Sequence, residues 1–285
     1  MVRQYDIDGE NSGVRLSCEK RCTTLTGLRW KENLASVNES IVFVDENDRF
    51  IASEEFAISV RNSNNYFVII TRENLPNLPY SVEEIYGIHE SGKYADLKKT
   101  YNELYRIYSD SDLIQRNKID TVITEDSNSG YQFMRSIAEE KGIPCRSAGG
   151  KSKIYSELLK EKKSVTLVAA DGAAFGSEMN RIMELIRLGM SIVLYLPESF
   201  EWLILRSGIV DGKRISAILD HPEDHIESAE YFSWERHFAD ILVSETKDSF
   251  LKYSKDKLNE IYLHDTERKA IMDAMDLVGE MLRKG

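Results

Sequence analysis

The sequence predicts an α/β protein built on parallel sheets, and two observations lead to this fold class. Up to about residue 207, short runs rich in β-branched residues alternate with longer amphipathic stretches. This alternation is typical of strands joined by crossover helices. Beyond about residue 225 only helical patterns remain. We therefore expect a partial parallel sheet, then a four-stranded parallel sheet with helices on both faces, and finally a helical tail.

The first region, residues 1–92, contains two strong strand patterns. They are the runs Ser40–Glu46 and Tyr66–Arg72, with a short helical pattern over Glu54–Arg61 between them. Two of the five prolines follow in the connector Leu75–Tyr80. Prolines are strong punctuators of local structure, so this first sheet is expected to end here.

Residues 93–117 are expected to form a linker helix, because apolar and aromatic residues recur at helical spacing from Asp96 to Tyr108. The second strand-and-helix series occupies residues 118–210, and residues 211–285 form the helical C-terminal region. The expected strands of the second series are Thr121–Thr124, Ile143–Ser147, Val165–Ala170 and Met190–Leu196, and its expected helices are Tyr131–Lys141, Ser152–Lys160 and Ser177–Leu188.

Composition limits the classes of function. The chain has 285 residues and a net charge of −11. This charge argues against a protein that coats duplex nucleic acid over its whole surface, although it allows a nuclease with one basic groove. Acidic clusters are what divalent metals require. No apolar run approaches the ~20 residues that span a bilayer, so we expect a cytoplasmic protein with no membrane partner.

The first strand ends in a motif that carries chemistry. Four apolar residues run into Asp45-Glu46, which is a Walker B pattern. In such a pair the first carboxylate holds Mg²⁺, and the second can orient a water for attack on a γ-phosphate. The next strand ends in Thr71-Arg72, where many such ATPases carry a polar sensor. This succession resembles the AAA-type P-loop ATPases, and the resemblance implies that these four residues line a nucleotide site.

The segment departs from that family at the phosphate loop. No G-x-x-x-x-G-K-[ST] motif precedes Asp45. We therefore expect very weak ATP binding unless a Walker A motif is supplied from outside this chain. Two explanations stay open, because the chain is either part of a longer protein or a decayed ATPase kept as a scaffold. In the simplest alternative, Asp45-Glu46 merely end a strand in a turn.

Two acidic residues close strands of the second series. Glu125 follows the strand Thr121–Thr124 and leads into Asp126, whereas Asp171 follows Val165–Ala170 and leads into a glycine-rich turn. Both lie at the carboxyl ends of expected parallel strands, where sites form in open α/β sheets. The alternative is a flavodoxin-like or Rossmann-like sheet whose strand-end acids are there for solvation alone.

The order strand-Glu, helix, strand, helix, strand-Asp resembles the Toprim domains of the overcoming-lysogenization-defect nucleases and related phage-defence effectors. The resemblance implies that Glu125 and Asp171 are catalytic carboxylates that hold Mg²⁺ or Mn²⁺. It also implies a catalytic, phosphate-binding role for Lys151, which follows the turn Ala148-Gly149-Gly150 at a helix N-terminus. The segment Pro197–Trp202 resembles the acidic-aromatic segment after the last strand of these nucleases.

The second series departs from the Toprim pattern at one position. The family places a second aspartate two residues after the first, but the chain has Ala173 there. Glu178 and Asp126 are the candidates for a third metal oxygen, although Mg²⁺ can be held by two carboxylates and several waters. The loss of the second aspartate weakens the case for two-metal cleavage.

Weaker signals point to nucleic acid or to other families. Trp202 and Trp234 could stack on bases, although a buried core is the commoner fate of tryptophan. The basic residues that could line a phosphate groove are Lys118, Arg146, Lys151 and Lys153.

The whole chain also resembles a group of bacterial proteins labelled translation initiation factor 2. We set this label aside because the GTPase phosphate loop is missing.

Two functional classes follow from these patterns. The first is a Toprim-like, metal-dependent nucleic-acid phosphodiesterase (a nuclease) associated with an ATPase, in phage or mobile-element defence, with DNA or RNA as its partner. The second is a non-catalytic regulatory or assembly module that retains decayed ATPase and Toprim folds and binds an ATPase partner or itself. The missing phosphate loop and Ala173 favour the second class, whereas Glu125 and Asp171 at matching strand ends favour the first.

Overall fold

Two separate parallel sheets organise the chain, which confirms the α/β fold class expected from the sequence. The structure is a computed structural model, and it describes residues 20–45, 48–91, 101–108, 118–161, 164–222, 225 and 233–284. The chain divides into two units. The first takes in the chain as far as Leu78 together with Tyr86–Tyr105, and the second comprises Pro79–Ile85, Arg106–Ile226 and Ser233–Gly285.

The first unit contains a three-stranded parallel sheet in the order β1-β2-β3. One face of this sheet packs on an aromatic cluster in which Phe56 contacts Trp30, Phe50 and Phe67. The Ser53 hydroxyl accepts a hydrogen bond from Phe56 N at 3.1 Å and so caps the second helix. The elements are β1 (Cys22–Leu25), α1 (Trp30–Ala35), β2 (Ile41–Val44), α2 (Glu54–Arg61) and β3 (Tyr66–Ile69).

A two-stranded sheet corrects the expected linker helix. It pairs β4 (Tyr86–Ser91) with β5 (Tyr101–Arg106), and β5 falls inside the segment predicted to be helical. The aromatic and apolar residues at 101–108 suit a strand as well as a helix, because a short run does not separate the two periods. The rest of the expected linker, 93–100 and 109–117, lies outside the described residues.

The second unit contains a four-stranded sheet in the order β7-β6-β8-β9, and all three strand pairs are parallel. Its strands are β6 (Thr121–Thr124), β7 (Cys145–Ser147), β8 (Thr166–Ala169) and β9 (Ile192–Tyr195). Its helices are α3 (Ser129–Glu140), α4 (Lys151–Leu158), α5 (Met179–Arg187) and α6 (Phe200–Arg206).

The strands of this sheet send alternate side chains to two cores. Val122 and Leu167 face a core formed with α3, α6 and the C-terminal helices. Ile123 and Val168 face a second core formed with α4 and α5. The alternation follows from the two-residue period of a strand, and it places helices on both faces of the sheet, as predicted.

The C-terminal helices belong to the first of these cores. Phe238, Leu242, Tyr262 and Ile271 are all buried there against the sheet and α3. The helical region therefore packs on the sheet of the second unit. No helix among the described residues is long and apolar enough to cross a bilayer. The helices are α7 (Lys213–Asp220), α8 (Trp234–Thr246), α9 (Asp265–Ala274) and α10 (Asp276–Lys284).

Candidate functional site

Glu125 and Asp171 lie at the carboxyl ends of two neighbouring central strands of the four-stranded sheet, an end referred to below as the carboxylate edge. Strands β6 and β8 are parallel neighbours, with Thr124 opposite Ala169. Glu125 directly follows β6, and the backbone N–H of Asp171 points at Glu125 Oε2 with an N···O distance of 3.4 Å. The prediction that these two acids occupy neighbouring strand ends is therefore confirmed.

The glycine-rich turn after β7 holds Lys151 beside this pair. Gly150 N donates to the backbone carbonyl of Glu125 at 2.7 Å. The turn needs glycine, because Gly149 has a φ of +76° and Gly150 a φ of +129°. Lys151 then begins α4, and its Nζ donates to the carbonyl of Ala174 at 2.7 Å. Lys151 thus connects the end of β7 with the turn that follows Asp171.

The turn after Asp171 is packed tightly against the loop after β9. Gly172 N donates to Pro197 O at 2.6 Å, and Ala173 N donates to Glu198 O at 3.2 Å. A Cβ placed on Gly172 would lie 2.3 Å from Leu196 O, so no side chain fits there. Ala173 is 3% exposed. The residue that replaces the expected second aspartate is therefore part of a buried, closely packed turn.

Burial and like charges weaken the ionised form of both acids. Burial raises the pKa of Asp171 well above its ordinary range, and the nearby charges of Glu201 and Glu125 raise it further. Burial also raises the pKa of Glu125, against the opposing effects of the hydrogen bond from Asp171 N and the charge of Lys151. Both residues are half-buried. These strand ends therefore crowd negative charge, which a divalent cation can offset.

The structure adds residues that the sequence analysis did not select. Glu201, in the first turn of α6, is 2% exposed and contributes the largest charge effect on Asp171. The hydroxyl of Tyr253 donates to Glu201 Oε1 at 2.7 Å. Lys255 exerts an attractive charge on both Asp171 and Glu125. The acidic segment after β9 was a signal for Glu201, but no sequence pattern marks Tyr253 or Lys255.

The two candidates for a third metal oxygen have other partners. Asp126 Oδ1 accepts a hydrogen bond from Asn128 N at 3.1 Å, and Oδ2 accepts from the Asn128 side chain. Glu178 is buried and forms an ion pair with Arg181. Within the described ranges, no three His, Cys, Asp or Glu side chains are arranged to hold one metal ion together.

The expected basic groove and base-stacking tryptophans are largely engaged in other contacts. Arg146 forms ion pairs with Glu157 at 3.4 Å and with Glu161 at 2.7 Å. Lys118 and Lys153 are exposed. The ring of Trp202 lies under the Arg206 guanidinium at 5.1 Å, and Trp234 Nε1 donates to Glu84 Oε1 at 3.1 Å.

A further buried acid lies next to the Asp171 turn. Ser81 Oγ donates to Glu198 Oε1 at 2.7 Å. Glu198 Oε2 is buried, with no hydrogen-bond partner among the described residues. Burial raises the pKa of Glu198 to about 7, and the Ser81 hydrogen bond opposes this shift. The charges of Glu83 and Glu84 raise the pKa further, whereas the charge of Arg106 lowers it. Glu198 lies in the acidic-aromatic segment Pro197–Trp202, but no sequence pattern marks it as a functional residue.

The ATPase-like residues occupy strand ends of the first unit. Asp45 follows β2 and is exposed, and Arg72, beyond the end of β3, is also exposed. Thr71 Oγ1 accepts a hydrogen bond from Glu73 N at 3.0 Å, which closes a local turn. Glu46 lies outside the described residues. The strand ends of β2 and β3 are neighbours, as the Walker B interpretation requires.

One short sequence match to a GTPase motif lies just before β6. Asn117-Lys118-Ile119-Asp120 fits the base-reading pattern Asn-Lys-x-Asp. Asp120 Oδ2 accepts a hydrogen bond from Val165 N at 2.8 Å, and Ile119 is buried in the core. Asp120 thus joins the starts of β6 and β8, at the opposite end of these strands from Glu125 and Asp171.

Two surface concavities lie away from the carboxylates. One of about 480 Å³ runs along α3 and is bordered by Arg135 and Glu139. The other, of about 220 Å³, lies between α3 and the last two helices. Neither is lined by Glu125 or Asp171, so the chemistry of the carboxylate edge gives the stronger indication of function.

Comparisons with known proteins identify no relative of this chain. No protein-family model matches the chain, and neither a curated protein nor a solved structure matches it.

Proposed function

We propose that the chain is a cytoplasmic, metal-dependent phosphodiesterase of the Toprim type, acting on nucleic acid in association with an ATPase. One observation carries the proposal. Glu125 and Asp171 share one edge of a parallel sheet, and the backbone N–H of Asp171 reaches the Glu125 carboxylate at 3.4 Å. Crowding of negative charge at half-buried strand ends is costly without a cation.

The residues at this edge fit Mg²⁺ or Mn²⁺. Their ligand atoms are carboxylate oxygens, which Mg²⁺ prefers in proteins and usually supplements with water. A bound cation would supply charge stabilisation for a transferring phosphoryl group. Glu125 and Asp171 would hold it, while Lys151 presents an ammonium group at the start of α4, beside Glu125.

A non-catalytic regulatory or assembly module is the second candidate. Ala173 is buried in a packed turn, and Glu178 is paired with Arg181, so neither supplies the third carboxylate. These observations favour a protein that keeps the fold but has lost the catalytic activity. Such a module would bind an ATPase partner or a second copy of itself, without cleaving nucleic acid.

The first unit fits a nucleotide only with outside help. A phosphate loop and its lysine normally cradle the β- and γ-phosphates, and the sequence before Asp45 has no such motif. We therefore expect ATP to bind to this chain more weakly than micromolar. Micromolar binding in a calorimetric titration would show that another loop replaces the missing one.

Metal binding and cleavage test the phosphodiesterase directly. Mn²⁺ is titrated into the full chain, and DNA, RNA and tRNA substrates are incubated with Mg²⁺ or Mn²⁺. Glu125→Gln and Asp171→Asn keep side-chain shape and remove one charge each. We expect each to weaken Mn²⁺ binding at least tenfold and to abolish cleavage. Lys151→Ala should raise KM more than it lowers kcat.

Asp45→Asn is the matched control, because it neutralises a strand-end acid of the other sheet. It should leave Mn²⁺ binding at the second unit and any cleavage unchanged. Activity that survives in Asp171→Asn would place the chemistry elsewhere. Mn²⁺ binding without cleavage of any substrate would favour the non-catalytic module.

A further inference from the structure

A short segment before β4, Pro79–Ile85, packs on the turn that follows Asp171, and both belong to the second unit. We call this segment the strap. Tyr80 O accepts a hydrogen bond from Gly176 N at 3.0 Å. The Tyr80 ring lies against the same glycine, because a Cβ added at Gly176 would be 2.4 Å from Cδ2 of the ring. Val82 is 5% exposed and joins the core formed with α4 and α5.

Ser81 fastens the middle of the strap to Glu198. Its hydroxyl donates to Glu198 Oε1 at 2.7 Å and accepts from Glu83 N at 3.1 Å, so it also caps the short 3-10 turn of the strap. Ser81 is 1% exposed. The backbone of Glu198 is held as well, because its carbonyl accepts a hydrogen bond from Ala173 N at 3.2 Å. Glu198 thus links the strap to the turn after Asp171.

The other oxygen of the Glu198 carboxyl group has no partner that would stabilise a charge. Oε2 is buried and makes no hydrogen bond with any described residue. Glu83 and Glu84 place negative charge on the strap itself, whereas Arg106 supplies positive charge. Further ionisable side chains on the surrounding elements, none of them bonded to Oε2, are Lys151, Asp171, Glu178, Glu201 and Glu235. An ionised Glu198 would therefore be buried, half-paired and repelled by the strap.

Two weaker contacts hold the strap at its surface. Glu84 Oε1 accepts a hydrogen bond from Trp234 Nε1 at 3.1 Å, and Glu83 forms an ion pair with Arg106 at 3.0 Å. Both side chains of the ion pair are more than half exposed. Exposed ion pairs contribute little to stability. The buried contact between Ser81 and Glu198 is therefore the polar contact on which closure of the strap depends most.

We propose that the strap is a pH-sensitive device, which Glu198 keeps closed while its carboxyl group is protonated and releases once that group is ionised. Release lets water reach the carboxylate and uncovers the turn after Asp171. With the strap closed the pKa of Glu198 is about 7, above the ordinary value of 4.5. The contribution of Glu198 to closure is therefore complete below about pH 4.5 and is lost as pH rises through about 7.

Hydrogen exchange of single amides, measured by NMR on the full chain, tests this device. The protection factor removes the intrinsic pH dependence of exchange. Gly176 N–H reports closure, because its acceptor is Tyr80 O, and Val122 N–H, which donates to Pro144 O at 2.9 Å, reports the sheet. In the wild type, protection of Gly176 should fall about tenfold between pH 6 and pH 8.5. It should stay below that of Val122 throughout, because the strap opens without unfolding of the sheet.

Three variants assign the effect to Glu198. Glu198→Gln keeps an acceptor for Ser81 but cannot ionise, so protection of Gly176 should no longer fall with pH. Ser81→Ala removes the hydrogen bond and should lower protection of Gly176 at every pH, while the fall remains because Glu198 still titrates. Glu184→Gln, an exposed acid of α5, is the control and should follow the wild type.

Three outcomes would overturn the proposal. The first is a constant protection factor for Gly176 in the wild type, and the second is a fall that persists in Glu198→Gln. The third is equal protection of Gly176 and Val122, because the strap would then open only when the whole unit unfolds. If Glu198→Gln does not fold, Glu198→Met, which cannot ionise either, takes its place. None of these measurements involves metal or nucleic acid, so the device and the proposed function fail separately.

Discussion

The two parallel sheets carry acids at the same kind of position, but in different surroundings. In the first unit Asp45 follows β2 and is exposed. In the second, Asp171 and Glu125 are held by backbone hydrogen bonds next to a buried glutamate. The sequence thus predicts that an acidic residue lies at a strand end. The helices and loops that pack around the strand end decide whether other charges lie close to it.

The covering elements differ between the two sheets. Beyond its aromatic cluster, the three-stranded sheet leaves Tyr66, Val68 and Ile70 of its β3 region exposed. The four-stranded sheet has a buried core on each face. Burial on both faces lowers the local dielectric and strengthens charge interactions at its edge. Three substitutions test whether this difference in burial explains the difference in charge behaviour.

The largest effect is expected for Ala173→Asp. A carboxylate at this buried position should lower the unfolding free energy by about 4 kcal/mol in EDTA, because it adds an unpaired buried charge. Mg²⁺ should restore part of this loss if the new oxygen reaches the cation. Urea denaturation with and without Mg²⁺ measures both effects. The control is Ala173→Asn, which should lose stability without regaining it in Mg²⁺, and full stability of Ala173→Asp in EDTA would contradict the tight packing described for this turn.

A smaller effect is expected for Glu198→Gln, and it depends on pH. The carboxyl pKa rises from 4.5 to about 7 on folding. Its contribution to stability is therefore complete below about pH 4.5 and is lost as pH rises through about 7. At pH 8 the glutamine variant should be more stable than the wild type by up to about 3 kcal/mol, and at pH 4.5 the two should be equal.

Denaturation curves at pH 4.5, 6 and 8 measure this difference. Glu184→Gln, on the exposed side of α5, is the control and should follow the wild type at every pH. An identical fall in stability between pH 5 and 8 for the wild type and Glu198→Gln would show that Glu198 is not the group that titrates.

The smallest expected change in stability is for Asp171→Asn, and its comparison with Asp45→Asn sets the two sheets side by side. The raised pKa of Asp171 means that its contribution to stability is present at low pH and is lost as pH rises through its folded pKa. In EDTA at pH 8, Asp171→Asn should therefore be more stable than the wild type by about 1–2 kcal/mol. Asp45→Asn should change stability by less than about 0.5 kcal/mol. Equal changes in the unfolding free energy of the two variants would contradict the view that burial distinguishes the two strand ends.

Much of the second sheet could be predicted from the sequence, because its strands are short apolar runs between clear amphipathic helices. The neighbouring strand ends of Glu125 and Asp171 followed from that order. The strand at Tyr101–Arg106 could not be told from a helix, because its apolar and aromatic residues fit both periods over so short a run.

The surroundings of the site were beyond sequence reasoning for a different reason. Arg146 is neutralised by Glu157 and Glu161 from the far end of α4 and the turn after it, which depends on side-chain geometry. Tyr253 reaches Glu201 across 52 residues of chain. No local pattern encodes such contacts, because they arise only when separate elements pack together. The nature of the cation and substrate stays a prediction.

Ser129 Oγ lies 2.5 Å from the Tyr253 hydroxyl, and this contact also has a consequence in time. The two residues are 124 positions apart. At a synthesis rate of roughly 5–20 residues per second, Ser129 leaves the peptidyl centre of the ribosome roughly 6–25 s before Tyr253 is made. A nascent chain thus carries Glu125, Asp171 and Glu201 before it carries the tyrosine that holds Glu201. The hydrogen bonds around Tyr253 are therefore completed only near the end of translation.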